Sequence, residues 1–118
     1  MRKINVLLAI RPRLLSAVVR HLVERQADMA VVSEVSEPSE LGAAIRATAA
    51  EVVILTPVDA DREPELRSQL WSQSPHLKIM TLSATGDTAL LYASGSPTKR
   101  RDDVSEASLL SAIREFRC

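Results

Sequence analysis

The sequence predicts a single α/β domain in which an open, mostly parallel β-sheet is covered by helices on both faces. Short apolar runs alternate along the chain with segments whose apolar residues recur at helical spacing. At this pitch, strands joined by right-handed crossover helices are expected, and such crossovers place helices on both sides of the sheet. With 118 residues the chain is long enough to bury one core of ordinary size. We therefore treat residues 1–118 as one domain.

The first strand and helix are predicted by an apolar run and the proline that follows it. Ile4 to Ile10 is almost continuously apolar, as in a strand buried on both faces of a parallel sheet. Pro12 marks a helix start, and the apolar residues after it recur at helical spacing. These residues are Leu14, Leu15, Val18, Val19, Leu22 and Val23. The pattern predicts a strand followed by a long amphipathic helix.

The next elements repeat this alternation. Ala30 to Val35 predicts a second strand, and the SEPSE segment at residues 36–40 supplies a capping hydroxyl and an early proline for a second helix. Val52 to Thr56 is a third apolar run, and the third helix is expected to end near Gln73. Leu77 to Ser83 predicts the fourth strand, and a final helix begins near residues 103–105. Four strands and four helices are thus predicted up to this point.

The segment after the fourth strand departs from the parallel pattern. Only residues 84–87 separate that strand from Thr88–Ala93, whereas a parallel crossover needs roughly ten or more residues. Gly86 and Asp87 suit a tight turn. We expect an antiparallel hairpin between the fourth and fifth strands. The alternative is a short helix over residues 88–94 that ends at Gly95.

Charge and composition exclude several classes of function. Fifteen basic and fifteen acidic residues cancel, so direct nucleic-acid binding is not expected. Cys118 is the only cysteine, which excludes a disulfide within the chain and a cysteine-based metal cluster. The N-terminal apolar run is far shorter than a membrane span and lacks a cleavage pattern before Arg11. We expect a cytoplasmic domain without membrane contact, cofactor or metal.

Sites in open α/β sheets lie at the carboxyl ends of the strands. The residues there are Ile10 and Arg11, residues 56–61, and residues 83–87. They contain no pair of nucleophile and base, and the three glycines of the chain form neither a dinucleotide fingerprint nor a Walker A loop. Catalysis is therefore not expected.

Three segments together resemble the receiver domains of response regulators. They are the segment VLLAI to EVVIL at residues 6–55, KIMTLSA at residues 78–84 and VSEASLLSAIREF at residues 104–116. The resemblance implies a flavodoxin-like three-layer α/β/α sandwich with strand order 2-1-3-4-5. The predicted hairpin would take the place of the helix that receivers have between their fourth and fifth strands, the receiver α4.

The resemblance does not extend to the phosphorylation chemistry. Receivers hold a magnesium ion with two acidic residues after the first strand, and these positions match Ile10 and Arg11. The phosphoacceptor aspartate matches Thr56, and the switch hydroxyl of the family matches Ser83. Lys99–Arg101 lie near the family's lysine, but Asp102 and Asp103 follow directly, so the run predicts a solvated loop.

These observations favour a non-catalytic, phosphorylation-independent receiver-like domain that mediates regulatory protein–protein interaction or dimerisation. A homodimer is expected through Leu90, Leu91 and Tyr92, because the fifth strand would stand at an unpaired sheet edge. The residues specify no other protein partner. One alternative is a small-ligand sensor in which Arg11 contacts an anion. Another is a phosphoryl-accepting receiver that uses Asp59 or Asp61.

Overall fold

The computed structural model describes residues 3–11, 13–35, 37–56, 63–83, 85–95 and 97–115. Several residues named above lie outside these ranges. They are Pro12, Asp59, Asp61 and Cys118.

In the described part of the chain, six strands and four α-helices follow one another. They are β1 (Ile4–Ala9), α1 (Arg13–Glu24), β2 (Met29–Glu34), α2 (Leu41–Thr48), β3 (Val52–Leu55), α3 (Glu63–Gln73), β4 (Lys78–Leu82), β5 (Thr88–Ala93), β6 (Lys99–Asp102) and α4 (Glu106–Glu115). A short 3₁₀ turn at Pro38–Glu40 precedes α2. The α/β class predicted from the sequence is confirmed.

All six strands belong to one mixed sheet with the order β2-β1-β3-β4-β5-β6. The strands β2, β1, β3 and β4 are parallel, whereas β5 is antiparallel to both β4 and β6. The hairpin is confirmed, with Thr81 opposite Leu90 in its ladder. The order differs from the expected 2-1-3-4-5 because β6 extends the sheet beyond β5. The fourth α-helix of the protein is the C-terminal one after β6, and the described residues between β4 and β5 contain no helix.

The prediction of a solvated loop at Lys99–Arg101 is wrong, because these residues belong to β6. The outer backbone groups of β5 require hydrogen-bond partners, and β6 provides them. An edge strand can keep its side chains in water, so its sequence KRRD need not be apolar. Composition alone therefore does not reveal this strand.

Helices cover the sheet on both faces, and the sheet separates the core into two clusters. One cluster lies beneath α1 and α4, which contribute Val19, Val23 and Ile113. The other lies beneath α2 and α3, which contribute Ile45 and Leu70. Strand residues alternate between the clusters, as the pleat of a β-strand requires. All four residues of β3 are buried, as expected for a central strand covered on both faces.

Two premises of the predicted dimer interface are wrong. β5 is not an edge strand, since β6 pairs with its outer side. Leu91 is buried in the cluster beneath α4 and is not exposed for a partner. Leu90 and Tyr92 are half-buried and alternate with it, so they lie on the opposite face of β5. The dimer itself stays a prediction, and of the three residues named for it only Leu90 and Tyr92 lie on the half-buried face of β5.

Candidate functional site

Two hydrogen bonds join the carboxyl ends of β1 and β3, and in one of them the Thr56 hydroxyl is the acceptor. The backbone N–H of Arg11 donates to Thr56 Oγ1 at 3.2 Å, and the N–H of Thr56 donates to the carbonyl of Ala9 at 3.2 Å. Ile10, between Ala9 and Arg11, is buried in the core beneath α1. The expectation that sites lie at the carboxyl ends of the strands thus correctly brings Arg11 and Thr56 together. They form a structural pair, and neither side chain is a carboxylate.

The Arg11 side chain extends away from this contact to a carboxylate on the segment before α2. Its Nη2 atom lies 2.8 Å from Glu37 Oε1, and the two side chains are 63% and 61% exposed. An ion pair this exposed stabilises a protein by roughly 1 kcal/mol or less. The ion pair with Glu37 therefore contributes little to stability.

Ser83 is engaged by its own turn. Its hydroxyl donates to Asp87 Oδ1 at 2.9 Å and accepts from the N–H groups of Asp87 and Thr88 at 3.2 and 3.1 Å. Thr85 also donates to Asp87 Oδ1, at 2.6 Å. These hydrogen bonds, first from Thr85 and then from Ser83, lower the pKa of the Asp87 carboxyl below its ordinary value. The turn is consequently a closed network, and the hydroxyl that matches the receiver switch position acts within it.

Gly86 explains how this turn packs against the rest of the molecule. Its φ of +79° lies in the left-handed region that glycine adopts without strain. A Cβ atom at this position would lie 3.2 Å from the Leu15 side chain of α1. The absence of a side chain therefore allows the β4–β5 turn to approach the first turn of α1 closely.

A cleft of about 560 Å³ opens between α1 and the end of β2. It is lined by Ile10, Arg11, Arg13, Ser16, Ala17, Arg20, Glu34 and Val35. Arg20 pairs with Glu24 at 2.6 Å and with Glu34 at 2.8 Å, and Ser16 donates to Glu34 Oε1 at 2.9 Å. The hydrogen bond with Glu24, together with the charges of both carboxylates, raises the pKa of Arg20. This wall of the cleft is therefore an organised charge network.

Sequence reasoning names Ile10 and Arg11 but misses the rest of this cleft. A signal for it exists, because Glu34 is itself the last residue of a parallel strand, β2. Inspecting the carboxyl end of β2 together with those of β1, β3 and β4 would have included Glu34. The pairing of Arg11 with Glu37 has no such signal, since it joins two long side chains from different loops.

Neither metal ligands nor membrane-spanning helices among the described residues indicate a function, and no related protein does. Within the described ranges, no group of three or more His, Cys, Asp or Glu side chains could hold a metal ion. No helix among the same residues is long and apolar enough to cross a bilayer. No family model matches the chain, and no curated protein matches its sequence. The features that bear on function are therefore the strand ends, the surfaces and the cleft.

Proposed function

We propose that this chain is a receiver-like regulatory module that is non-catalytic, independent of phosphorylation and active through protein–protein contact. The observation that supports it most is the Thr56 hydroxyl, which occupies the phosphoacceptor position and accepts the Arg11 N–H. No carboxylate lies at these matched positions, because Ile10 is apolar and Arg11 is cationic.

The electrostatics of these strand ends oppose phosphoryl transfer. Transfer from a phosphate donor depends on positioning and on a magnesium ion that neutralises developing charge. Magnesium requires oxygen ligands, normally including at least one carboxylate. A buried isoleucine and an arginine at the two matched positions supply neither ligand nor negative charge. The scaffold can therefore keep its shape while the chemistry is lost.

The surface that supports partner binding is the face of β5 that contains Leu90 and Tyr92, which we call the β5 strip. Both side chains are half-buried, although the alternate residues Ala89 and Leu91 on the other face are fully buried. The Arg67 guanidinium of α3 lies 4.0 Å from the centroid of the Tyr92 ring. This combination of apolar, aromatic and arginine side chains is typical of protein interfaces. We infer that a second copy of the chain contacts the β5 strip.

Incubation with acetyl phosphate and magnesium tests the loss of chemistry. The intact mass is expected to stay unchanged, while a phosphorylatable receiver treated in parallel gains one phosphoryl group. A stoichiometric gain on this chain would contradict the proposal. Peptide mapping would then show whether Asp59 or Asp61 is the acceptor.

Sedimentation between about 1 and 100 µM tests the self-association. The wild-type chain is expected to form a dimer, and Leu90→Glu is expected to give a folded monomer. Leu14→Glu is the matched control, because Leu14 lies on α1 and is already 77% exposed. A monomeric wild type throughout this range, or equal dimerisation of all three chains, would remove the β5 strip as the contact surface.

A further inference from the structure

We infer that the cleft between α1 and β2 binds a small organic anion, namely a phosphate or carboxylate group joined to an apolar body. This inference is independent of the proposed function. The cleft has a volume of about 560 Å³, which lies within the usual range of small-molecule sites. It also lies at the carboxyl ends of β1 and β2, next to the switch point of strand order between β1 and β3, where open α/β sheets bind their ligands.

Among the described residues that line the cleft, three are arginines and one is a carboxylate. Glu37 pairs with Arg11, and Glu24 and Glu34 pair with Arg20, so much of this positive charge is balanced. Within the part of the chain that the structure describes, Arg13 forms no ion pair. An arginine without a carboxylate partner can donate charge-assisted hydrogen bonds to an anion. The ligand is therefore expected to be anionic.

The cleft also has an apolar part that free inorganic ions would not use. Ile10, Ala17 and Val35 lie among the lining residues. Apolar side chains with a few convergent polar groups are typical of sites that bind organic molecules. The apolar body of the ligand is expected to contact these three side chains.

Glu37 acts as an internal competitor for the ligand. It pairs with Arg11 at 2.8 Å, but the pair is more than half exposed and therefore stabilises little. A phosphate or carboxylate in the cleft can accept the same guanidinium hydrogen bonds in bidentate geometry. Arg20 remains paired with Glu24 and Glu34. The ligand is thus expected to displace Glu37 from Arg11 and to pair with Arg13.

Titrations of the full chain with phenyl phosphate, benzoate and inorganic phosphate, followed by amide NMR shifts, test this inference. The cleft variants are Arg13→Gln and Glu37→Gln. Their controls change the same charges elsewhere: Arg46→Gln on α2 and Glu65→Gln on α3. The NMR spectrum reports at the same time whether each variant is folded.

Saturable binding of an organic anion is expected, with shifts centred on residues 10–20 and 34–37. Arg13→Gln should weaken it about tenfold, because a charge-assisted hydrogen bond is lost. Glu37→Gln should strengthen it several-fold, and both controls should stay within about twofold of wild type. Preference for phenyl phosphate or for benzoate identifies the anionic group. No saturable binding, equal effects of cleft and control variants, or inorganic phosphate binding as tightly as phenyl phosphate would overturn the inference.

Discussion

The parallel and antiparallel halves of the sheet differ in how they are buried. In the parallel half, β3 has four buried residues and helices cover both of its faces. In the antiparallel half, burial alternates along β5 and then disappears in β6, whose residues are exposed or at most half-buried. The sheet therefore changes within two strands from a buried core to a charged edge.

This difference bears on stability. Replacing a residue of β3 disturbs packing on one of two covered faces, whereas the β5 strip is half-buried and is the surface proposed for a partner. The charges of β6 also bear on assembly, because two KRRD edges would bring like charges together and disfavour a continuous sheet between copies. Contact through the face of the antiparallel half is consistent with this, and contact through its edge is not.

The largest effect on the free energy of unfolding is expected when one apolar side chain is truncated to alanine in each half of the sheet. Ile54→Ala in β3 should lower the free energy of unfolding by about 3 kcal/mol, because Ile54 is fully buried and its truncation leaves a cavity. Leu90→Ala in β5 should cost about 1 kcal/mol or less, since Leu90 is already partly in water. Urea unfolding of both variants measures the difference. Equal losses would show that the antiparallel half is as tightly packed as the parallel half.

A smaller effect on the free energy of unfolding is expected at two residues whose backbone is left-handed. One lies next to the parallel half of the sheet and the other next to the antiparallel half. Ala49 ends α2 with φ 55°, and Asp103 follows β6 with φ 51°. Alanine is strained in this conformation, whereas aspartate tolerates it better. Ala49→Gly should therefore raise the free energy of unfolding by about 0.5–1 kcal/mol, and Asp103→Gly should change it little. The same urea assay compares them, and a loss of stability in Ala49→Gly would contradict the assignment of strain.

The smallest effect concerns the pH dependence of the β4–β5 turn. Hydrogen bonds lower the pKa of Asp87 below its ordinary value of 3.8, so the folded state favours the ionised carboxylate. This contribution is present above pH 3.8 and is lost as the pH falls through the lowered folded pKa. Asp87→Asn should be less stable than wild type near neutral pH, and this difference should shrink as the pH falls below 3.8 through the lowered folded pKa. A difference that does not change with pH would exclude the carboxylate as its source.

The two halves also differ in what the sequence can predict. The parallel half follows from apolar runs and helical stripes, because strands buried on both faces must be apolar throughout. The hairpin follows from the short spacing between Ser83 and Thr88, which no crossover can span. β6 could not be predicted in this way, since an edge strand with exposed side chains has no apolar pattern.

The candidate site was predictable only where the backbone determines it. Arg11 and Thr56 meet because adjacent parallel strands end together. The pairing of Arg11 with Glu37 depends on rotamers of long exposed side chains, which leave no periodic signal. Alternation along β5 predicted apolar residues on its faces. It could not show that α4 covers Leu91 and that Leu90, on the other face, is half-buried.

The central claim, that the scaffold has lost its phosphorylation chemistry, is tested most directly with beryllofluoride, a phosphoryl mimic that binds receivers together with magnesium. Amide NMR spectra are recorded with magnesium alone and with magnesium plus beryllofluoride. We predict no saturable shift at Arg11, Thr56 or Ser83, nor at any other amide of the chain. Saturable, magnesium-dependent shifts at these strand ends would contradict the account.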